Sequence, residues 1–130
     1  MLWQRGSLSP EQAGLVLTSL PCDVSFADEH DVLLYWSGET YKTCDARFIG
    51  RDVRDCHPEE SLETLETILR EFKAGARDTA EGWGEDNRRF KYTRYTAVRD
   101  GDGTYRGILE VNMDLTAFRA LAGEQRLPGC

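Results

Sequence analysis

The sequence predicts an α+β domain: a five-stranded antiparallel sheet with helices packed on one face and a flanking N-terminal helix. Two patterns support this prediction. Apolar residues recur at helical spacing between Leu62 and Phe72, and the chain after Gly75 consists of strand-like segments separated by Gly- and Asp-containing turns. An amphipathic helix must cover its apolar face, and the following strands offer a sheet for it to cover.

Length and charge limit the possible functions. The 130 residues suffice for one domain with a single core. A net charge of −7 argues against nucleic acid and against an anionic membrane as partners, since both require a basic surface. No signal peptide or spanning segment is recognised, which predicts a cytoplasmic location.

The cysteine pattern predicts reduced thiols and no side-chain metal site. Four cysteines occur without a C-x-x-C pair, and the two histidines are irregularly spaced from them. The cysteines are Cys22, Cys44, Cys56 and Cys130.

The N-terminal part is predicted to contain a tail, residues 1–8, and a short flanking helix, residues 9–20. Ser9 suits the N-cap, and Pro10 suits the first helical position. One face of this helix is apolar and is formed by Ala13, Val16, Leu17 and Leu20.

The core is predicted to span residues 22–114. Its first two strands, residues 22–26 and 32–36, are joined by a polar turn, and an irregular helical link is expected over residues 39–47. Pro58 suits the first turn of the main helix, Ser61 is an alternative N-cap, and Gly75 is predicted to end the helix. Its apolar stripe consists of Leu62, Leu65, Ile68, Leu69 and Phe72.

Three further strands are predicted at residues 78–83, 89–99 and 104–113. A three-residue turn, 101–103, closes the last hairpin. The register that this turn implies places Arg94 opposite Glu110. We expect from this register either an exposed cross-strand ion pair or a polar anchor that points into a cavity.

Three stretches in this order resemble a PAS domain: FADEHDVLLYWS, FIGRDVRDCHPEE and TAVRDGDGTYRGILEVNMDLT. The resemblance covers about residues 9–120. The chain is most similar to PAS modules attached to hemerythrin-like bacterial proteins. Those modules share its Cys-His-Pro turn, here Cys56, His57 and Pro58, and its Arg-Tyr and Ala-Val-Arg-Asp strand segments.

The resemblance implies a non-enzymatic sensory or interaction module with a small-molecule cavity between the main helix and the sheet, and a homodimer formed through residues 9–20. The ligand itself is not identified by the fold. Asp114 and Thr116 are implied at the signal output, before an output helix over residues 115–122 and a tail, residues 123–130. The candidate ligand-binding residues are Cys56, His57, Leu65, Leu69, Phe72, Trp83, Tyr92, Arg94 and Glu110.

Cofactor chemistry leaves two alternatives open. Flavin adduct formation is not expected, because Val53 stands where light-sensing relatives require a cysteine. Haem is possible, with His57 or Cys56 as an axial ligand, and would make the chain a gas or redox sensor. In the simpler interpretation His57 caps the helix start and Cys56 is a structural core residue. The other alternative is a ligand-free dimerisation scaffold.

Overall fold

The structure is a computed structural model that describes residues 6–38 and 46–129. It confirms the predicted fold class: five antiparallel strands form one sheet in the order β2-β1-β5-β4-β3. Strand β5 therefore lies at the centre, and β2 and β3 form the edges. The strands are β1 (Asp23–Asp28), β2 (Leu33–Trp36), β3 (Thr79–Asp86), β4 (Arg89–Arg99) and β5 (Tyr105–Asp114).

The main helix spans Glu59–Ala74 and follows the flanking helix Pro10–Ser19, so the two are labelled α2 and α1. Helix α2 ends as predicted at Gly75, whose φ of 74° is left-handed and whose N–H is donated to the last-turn carbonyls. Its apolar stripe packs on the inner face of the sheet. The core includes Ala27, Leu33, Val53, Leu65, Ile68, Leu69, Phe72, Ala97 and Ile108.

Helix α1 starts with the capping box that its sequence predicts. The backbone N–H of Gln12 donates to Ser9 Oγ at 3.1 Å, and the Ser9 N–H donates to Gln12 Oε1 at 2.9 Å. None of the helix residues is buried, and Leu15 and Val16 are 61% and 47% exposed. Helix α1 is thus an appendage to the core.

Strand β3 is longer than predicted. It continues to Asp86, and the turn falls on Asn87 and Arg88, whose positive φ values of 51° and 68° suit a two-residue hairpin. The prediction that the strand stops at residue 83 was wrong, because the segment that starts at Gly84 was taken as the turn. An edge strand tolerates Gly82 and Gly84.

The predicted register of the last hairpin is also wrong by one residue. A bulge between Val98 and Arg99 shifts the pairing, so Arg94 pairs with Val111, and Tyr95 pairs with Glu110. A bulge adds one residue to one strand, and a one-residue shift reverses the face on which each later side chain lies. The predicted Arg94–Glu110 pair therefore does not exist.

One predicted helical segment is only partly described, and a second is described in full but is not the helix that was predicted. The link predicted over residues 39–47 lies mostly outside the described residues, with a 3₁₀ turn at Ala46–Phe48. The expected output helix over residues 115–122 contains a single 3₁₀ turn, Phe118–Ala120. The proposed limits of the domain and its tails remain predictions.

Candidate functional site

A small cavity lies between α2 and the inner face of the sheet. Its walls are mostly apolar, with a cluster of polar side chains at one place. The volume open to the centre of a water molecule is about 10 Å³, which is room for about one water. The lining residues are Ser25, Ala27, Leu33, Val53, His57, Leu65, Tyr95, Ile108 and Glu110.

His57 is placed by the 3₁₀ turn Val53–Cys56, which immediately precedes α2. The turn ends at His57, whose backbone N–H donates to the Arg54 carbonyl at 3.3 Å. The ring Nδ1 lies 2.9 Å from the Val53 carbonyl oxygen, and the side chain is only 6% exposed. Since a carbonyl only accepts hydrogen bonds, Nδ1 carries a hydrogen and Nε2 is left to face the cavity.

An ionic cluster fixes this turn against the β1–β2 turn. Buried Asp31 accepts hydrogen bonds from Arg54 at 3.0 Å and Lys73 at 2.8 Å, and its backbone carbonyl accepts from the Val53 N–H at 2.8 Å. Arg54 also pairs with Glu66 of α2. Both cations bind Oδ2 of the Asp31 carboxylate, which compensates its burial in part, whereas Oδ1 is buried without a hydrogen-bond partner among the described residues.

Glu110 is at the middle of central strand β5, between Ser25 on β1 and Tyr95 on β4. Its Oε1 lies 3.7 Å from His57 Nε2, and its side chain is 15% exposed. The Tyr95 hydroxyl lies 3.5 Å from the same nitrogen. The other carboxylate oxygen accepts a hydrogen bond from Asn112 Nδ2 at 2.7 Å.

The surroundings shift the pKa values of this cluster in opposite directions. Burial lowers the pKa of His57, but hydrogen bonds to Glu110 and to the Val53 carbonyl outweigh it and raise that pKa above its usual value. Burial raises the pKa of Glu110, but bonds from His57 and Asn112 outweigh it and lower that pKa. Burial, together with the charge of Glu110, raises the pKa of Tyr95 well above its usual range. Both shifts favour the form of the pair in which His57 is an imidazolium and Glu110 a carboxylate.

Some of the predicted site residues meet at the cavity. His57, Leu65 and Glu110 line it. Leu69 and Phe72 are 1% and 0% exposed and belong to the adjoining core.

The other predicted strand residues lie on the opposite face of the sheet. Arg94 precedes Tyr95 on β4 and so points the other way. Glu81 and Trp83 pair with Arg94 and Tyr92, which places these side chains together on the outer face. Trp83 is 65% exposed. Trp83, Tyr92 and Arg94 thus do not line the cavity.

Cys56 is buried beside the site but is not a thiol. It is disulfide-bonded, whereas Cys22 is free, so the expectation of four reduced cysteines is wrong. The bonded partner is not among the described residues. Its Sγ lies 3.8 Å from His57 Nδ1. Sequence spacing did not show this bond, because pairing depends on which cysteines the fold brings together.

The sequence interpretation missed two polar residues of the site. Tyr95 was not among the predicted site residues, whereas the observed register places it opposite Glu110, on the face toward His57. Asn112 was overlooked, although it lies two residues after Glu110 and therefore on the same face of β5. It links Glu110 to Thr93, whose hydroxyl donates to Asn112 Oδ1 at 2.6 Å. The sequence signal that could have identified Asn112 is its position, because it is a polar residue two positions after Glu110 on the same strand.

The cofactors weighed from the sequence do not fit this geometry. A haem macrocycle is far larger than a space for about one water, Cys56 is held in its disulfide, and His57 Nε2 faces Glu110. Val53 lines the cavity and has no sulfur for a flavin adduct. Among the described residues no cluster of three or more metal-ligating side chains occurs. Within the same residues, no helix is long and apolar enough to cross a membrane.

The predicted output residues form a compact junction at the end of β5. Asp114 Oδ1 accepts from the Thr116 N–H at 3.0 Å, and Thr116 Oγ1 accepts from the Phe90 N–H at 2.9 Å. Arg89 lies 4.0 Å from the same carboxylate. Asp114 thus contacts a turn and lies near a basic residue on β4, and its role in signal output remains a prediction.

Comparisons with known proteins agree with this architecture. A family model described as a PAS domain matches residues 14–116. A C-terminal domain from Streptococcus mutans is 32% identical over 94% of this chain and 96% of that one, with a TM-score of 0.83. The PAS domain of Bordetella pertussis BvgS is 17% identical over 82% and 85%, with a TM-score of 0.63. A sensory box sensor histidine kinase from Vibrio cholerae is 13% identical over 80% and 89%, with a TM-score of 0.56. No functionally curated protein matched.

Proposed function

Because the chain belongs to the PAS domain family, we propose that it is a non-enzymatic sensory module that binds a small polar molecule between α2 and the sheet. PAS domains are typically sensory, and the family match covers most of the chain. Beyond this family property, we propose that the ligand is a small polar molecule and that it binds between α2 and the sheet. The proposal depends on one observation: His57, Tyr95 and Glu110 converge inside a cavity whose other walls are apolar except for Ser25.

Stability alone does not account for such a cluster. Burying a charged pair costs desolvation, and apolar residues of similar size often stabilise a core as well or better. Buried titratable groups with shifted pKa values are instead common at functional sites, where they orient a ligand. The cavity of this chain has that composition.

The distances within the cluster indicate the size of the ligand. His57 Nε2 is 3.7 Å from Glu110 and 3.5 Å from Tyr95, both longer than a good hydrogen bond. One polar atom placed among the three groups can bond to all of them. With room for about one water, the cavity accepts a ligand of very few heavy atoms, or a larger one once α2 moves outward.

Native mass spectrometry of protein purified without denaturation tests the binding. We expect an additional non-protein mass on the wild type and its loss in Glu110→Gln. The matched control is Glu81→Gln, which changes a carboxylate on the outer face of the sheet. Equal ligand occupancy in Glu110→Gln and Glu81→Gln would mean that the ligand binds elsewhere. The absence of a bound mass on the wild type and on both variants would favour the ligand-free scaffold.

We also propose that the protein is a homodimer through residues 9–20. Helix α1 buries none of its residues, and Leu15, Val16 and Leu20 are 61%, 47% and 43% exposed, so a second copy can cover this apolar surface. Sedimentation of the full chain and of a variant lacking residues 1–20 tests this proposal. An unchanged oligomeric state after truncation would contradict it.

Signal output is proposed at Asp114 and Thr116. The carboxylate of Asp114 holds the turn through Thr116 and lies near Arg89, so a shift of β5 can favour one neighbour over the other. We expect Asp114→Ala to speed amide exchange over residues 115–121. The hemerythrin-associated subfamily, the cytoplasmic location and the absence of enzymatic activity remain predictions.

A further inference from the structure

The protonation of His57 is constrained by its neighbours. Nδ1 is committed to the Val53 carbonyl at 2.9 Å, so Nε2 is the atom that gains or loses a proton. That nitrogen faces a carboxylate oxygen of Glu110 at 3.7 Å and the Tyr95 hydroxyl at 3.5 Å. When Nε2 carries a hydrogen, the imidazolium faces a carboxylate, which is a favourable arrangement.

When His57 Nε2 loses this proton, the cluster has too few hydrogen-bond donors for its acceptors. Nε2 then becomes an acceptor that faces a second acceptor, Glu110, inside the core. The Tyr95 hydroxyl has one hydrogen and can donate to only one of them. One buried acceptor loses its partner, which is costly away from water.

The cluster also joins two elements. His57 directly precedes α2, whereas Glu110 belongs to the central strand. The far end of α2 has other attachments: Lys73 to Asp31 at 2.8 Å, and the Phe72 carbonyl, which accepts from Arg99 at 2.7 Å. At the near end the N-cap, Pro58, makes no side-chain capping bond. Arg54 also ties the preceding 3₁₀ turn to Asp31 and to Glu66 of α2. The contact of His57 with Glu110 adds a polar link between this end of α2 and the central strand.

We propose that His57 and Glu110 form a proton-operated latch that holds the start of α2 on β5 while Nε2 is protonated and releases it when that proton is lost. This inference rests on the proposed function, since it describes the regulation of the same cavity. Release lets α2 pivot about its fixed C-terminal end and widens the cavity where the polar groups lie.

Charged groups on several elements act on the His57 ring. Burial and the charge of Lys91 lower the pKa of His57, while the bonds to Glu110 and Val53 and the charge of Glu110 raise it, with a net rise. The latch is thus closed below the usual histidine pKa and opens as pH rises through the folded-state value. The titratable and charged groups around it are Glu110 on β5, Tyr95 and Lys91 on β4, disulfide-bonded Cys56, and Glu59 and Glu60 in the exposed first turn of α2.

Nuclear magnetic resonance of the imidazole nitrogens tests the protonation step directly. The chain has only two histidines, and exposed His30 in the β1–β2 turn is an internal reference. We expect His57 to lose at least tenfold in proton affinity in Glu110→Gln. In Tyr95→Phe, which removes only the alternative donor, the affinity should be unchanged or higher. A His57 that stays neutral from pH 5.5 upward, or equal affinity in Glu110→Gln and wild type, would overturn the latch.

Amide exchange over residues 56–63, corrected for intrinsic rates, tests the release step. We expect protection in the wild type to fall as His57 loses its proton, and protection in Glu110→Gln to show no such step. Tyr95→Phe should show the same fall in amide protection as the wild type. This second variant keeps the test decisive if Glu110→Gln folds poorly. Equal protection above and below the titration in both wild type and Tyr95→Phe would contradict release. Added ligand is not needed in these measurements, so their failure is distinct from failure of small-molecule binding.

Discussion

At the scale of single residues, Glu110 illustrates how the environment determines chemistry. It is one of 23 acidic residues in the chain, and most of the others lie on the surface. Its position on the central strand under α2 excludes water and brings it to His57. A carboxylate that would be ordinary on an outer face becomes here a partner for a proton or a ligand.

Cys56 provides a prediction at this scale. Because it is disulfide-bonded, thiol titration of the protein in denaturant without reductant should count fewer than the four thiols expected from the sequence. Full reduction should restore four. A count of four before reduction would contradict the disulfide.

Gly107 provides a second prediction. Its φ is 152°, and a Cβ there would meet the Ala27 carbonyl and lie 2.6 Å from Phe26 Cζ. We expect Gly107→Ala to lower the free energy of unfolding by at least about 2 kcal/mol, through overpacking and backbone strain. Urea denaturation measures this change. In the control, Gly82→Ala, the added methyl meets nothing within 4 Å, so a similar loss in both variants would refute the steric explanation.

At the scale of elements, α2 and the two hairpins determine the site. Helix α2 was predictable because its apolar stripe and Gly75 are local signals, and both occur as predicted. The β4–β5 register was not, because it depends on a bulge that no turn residue announces. The one-residue shift explains why Arg94 was predicted opposite Glu110 but lies opposite Val111.

Phe72 offers a prediction for α2. It is fully buried between the helix and the sheet. Phe72→Ala should lower the free energy of unfolding by about 3–5 kcal/mol, because it removes apolar contacts and leaves a cavity. The control Leu121→Ala, at a side chain that is 74% exposed, should change it by no more than about 0.5 kcal/mol. Urea denaturation compares the two, and a small effect at Phe72 would mean that α2 does not anchor the core.

At the scale of the whole molecule, the buried pair predicts how stability depends on pH. The raised pKa of His57 contributes stability that is complete below about 6.5 and is lost as pH rises through its folded value. The lowered pKa of Glu110 contributes stability that is present above about 4.5 and is lost as pH falls through its folded value.

Urea unfolding of wild type and Glu110→Gln between pH 5 and pH 9 measures this dependence. The stability advantage of the wild type should be largest near pH 5–6 and should shrink as the solution becomes alkaline. Exposed carboxylates titrate in both proteins, so they cancel in the difference. An advantage that is constant across the range would mean that the pair is not ionised as described.

The bulge at Val98 and Arg99 has a consequence for how this domain can diversify. Which side chains of β4 point into the cavity depends on how many residues separate them from the turn of the last hairpin. Deleting one residue of β4 at this point, such as Val98, while the bulge on β5 is kept would turn Tyr95 to the solvent and bring Arg94 inward, opposite Glu110. The loss of one codon would thus exchange a phenol for a guanidinium in the cavity, without changing any residue that lines it on β1 or α2.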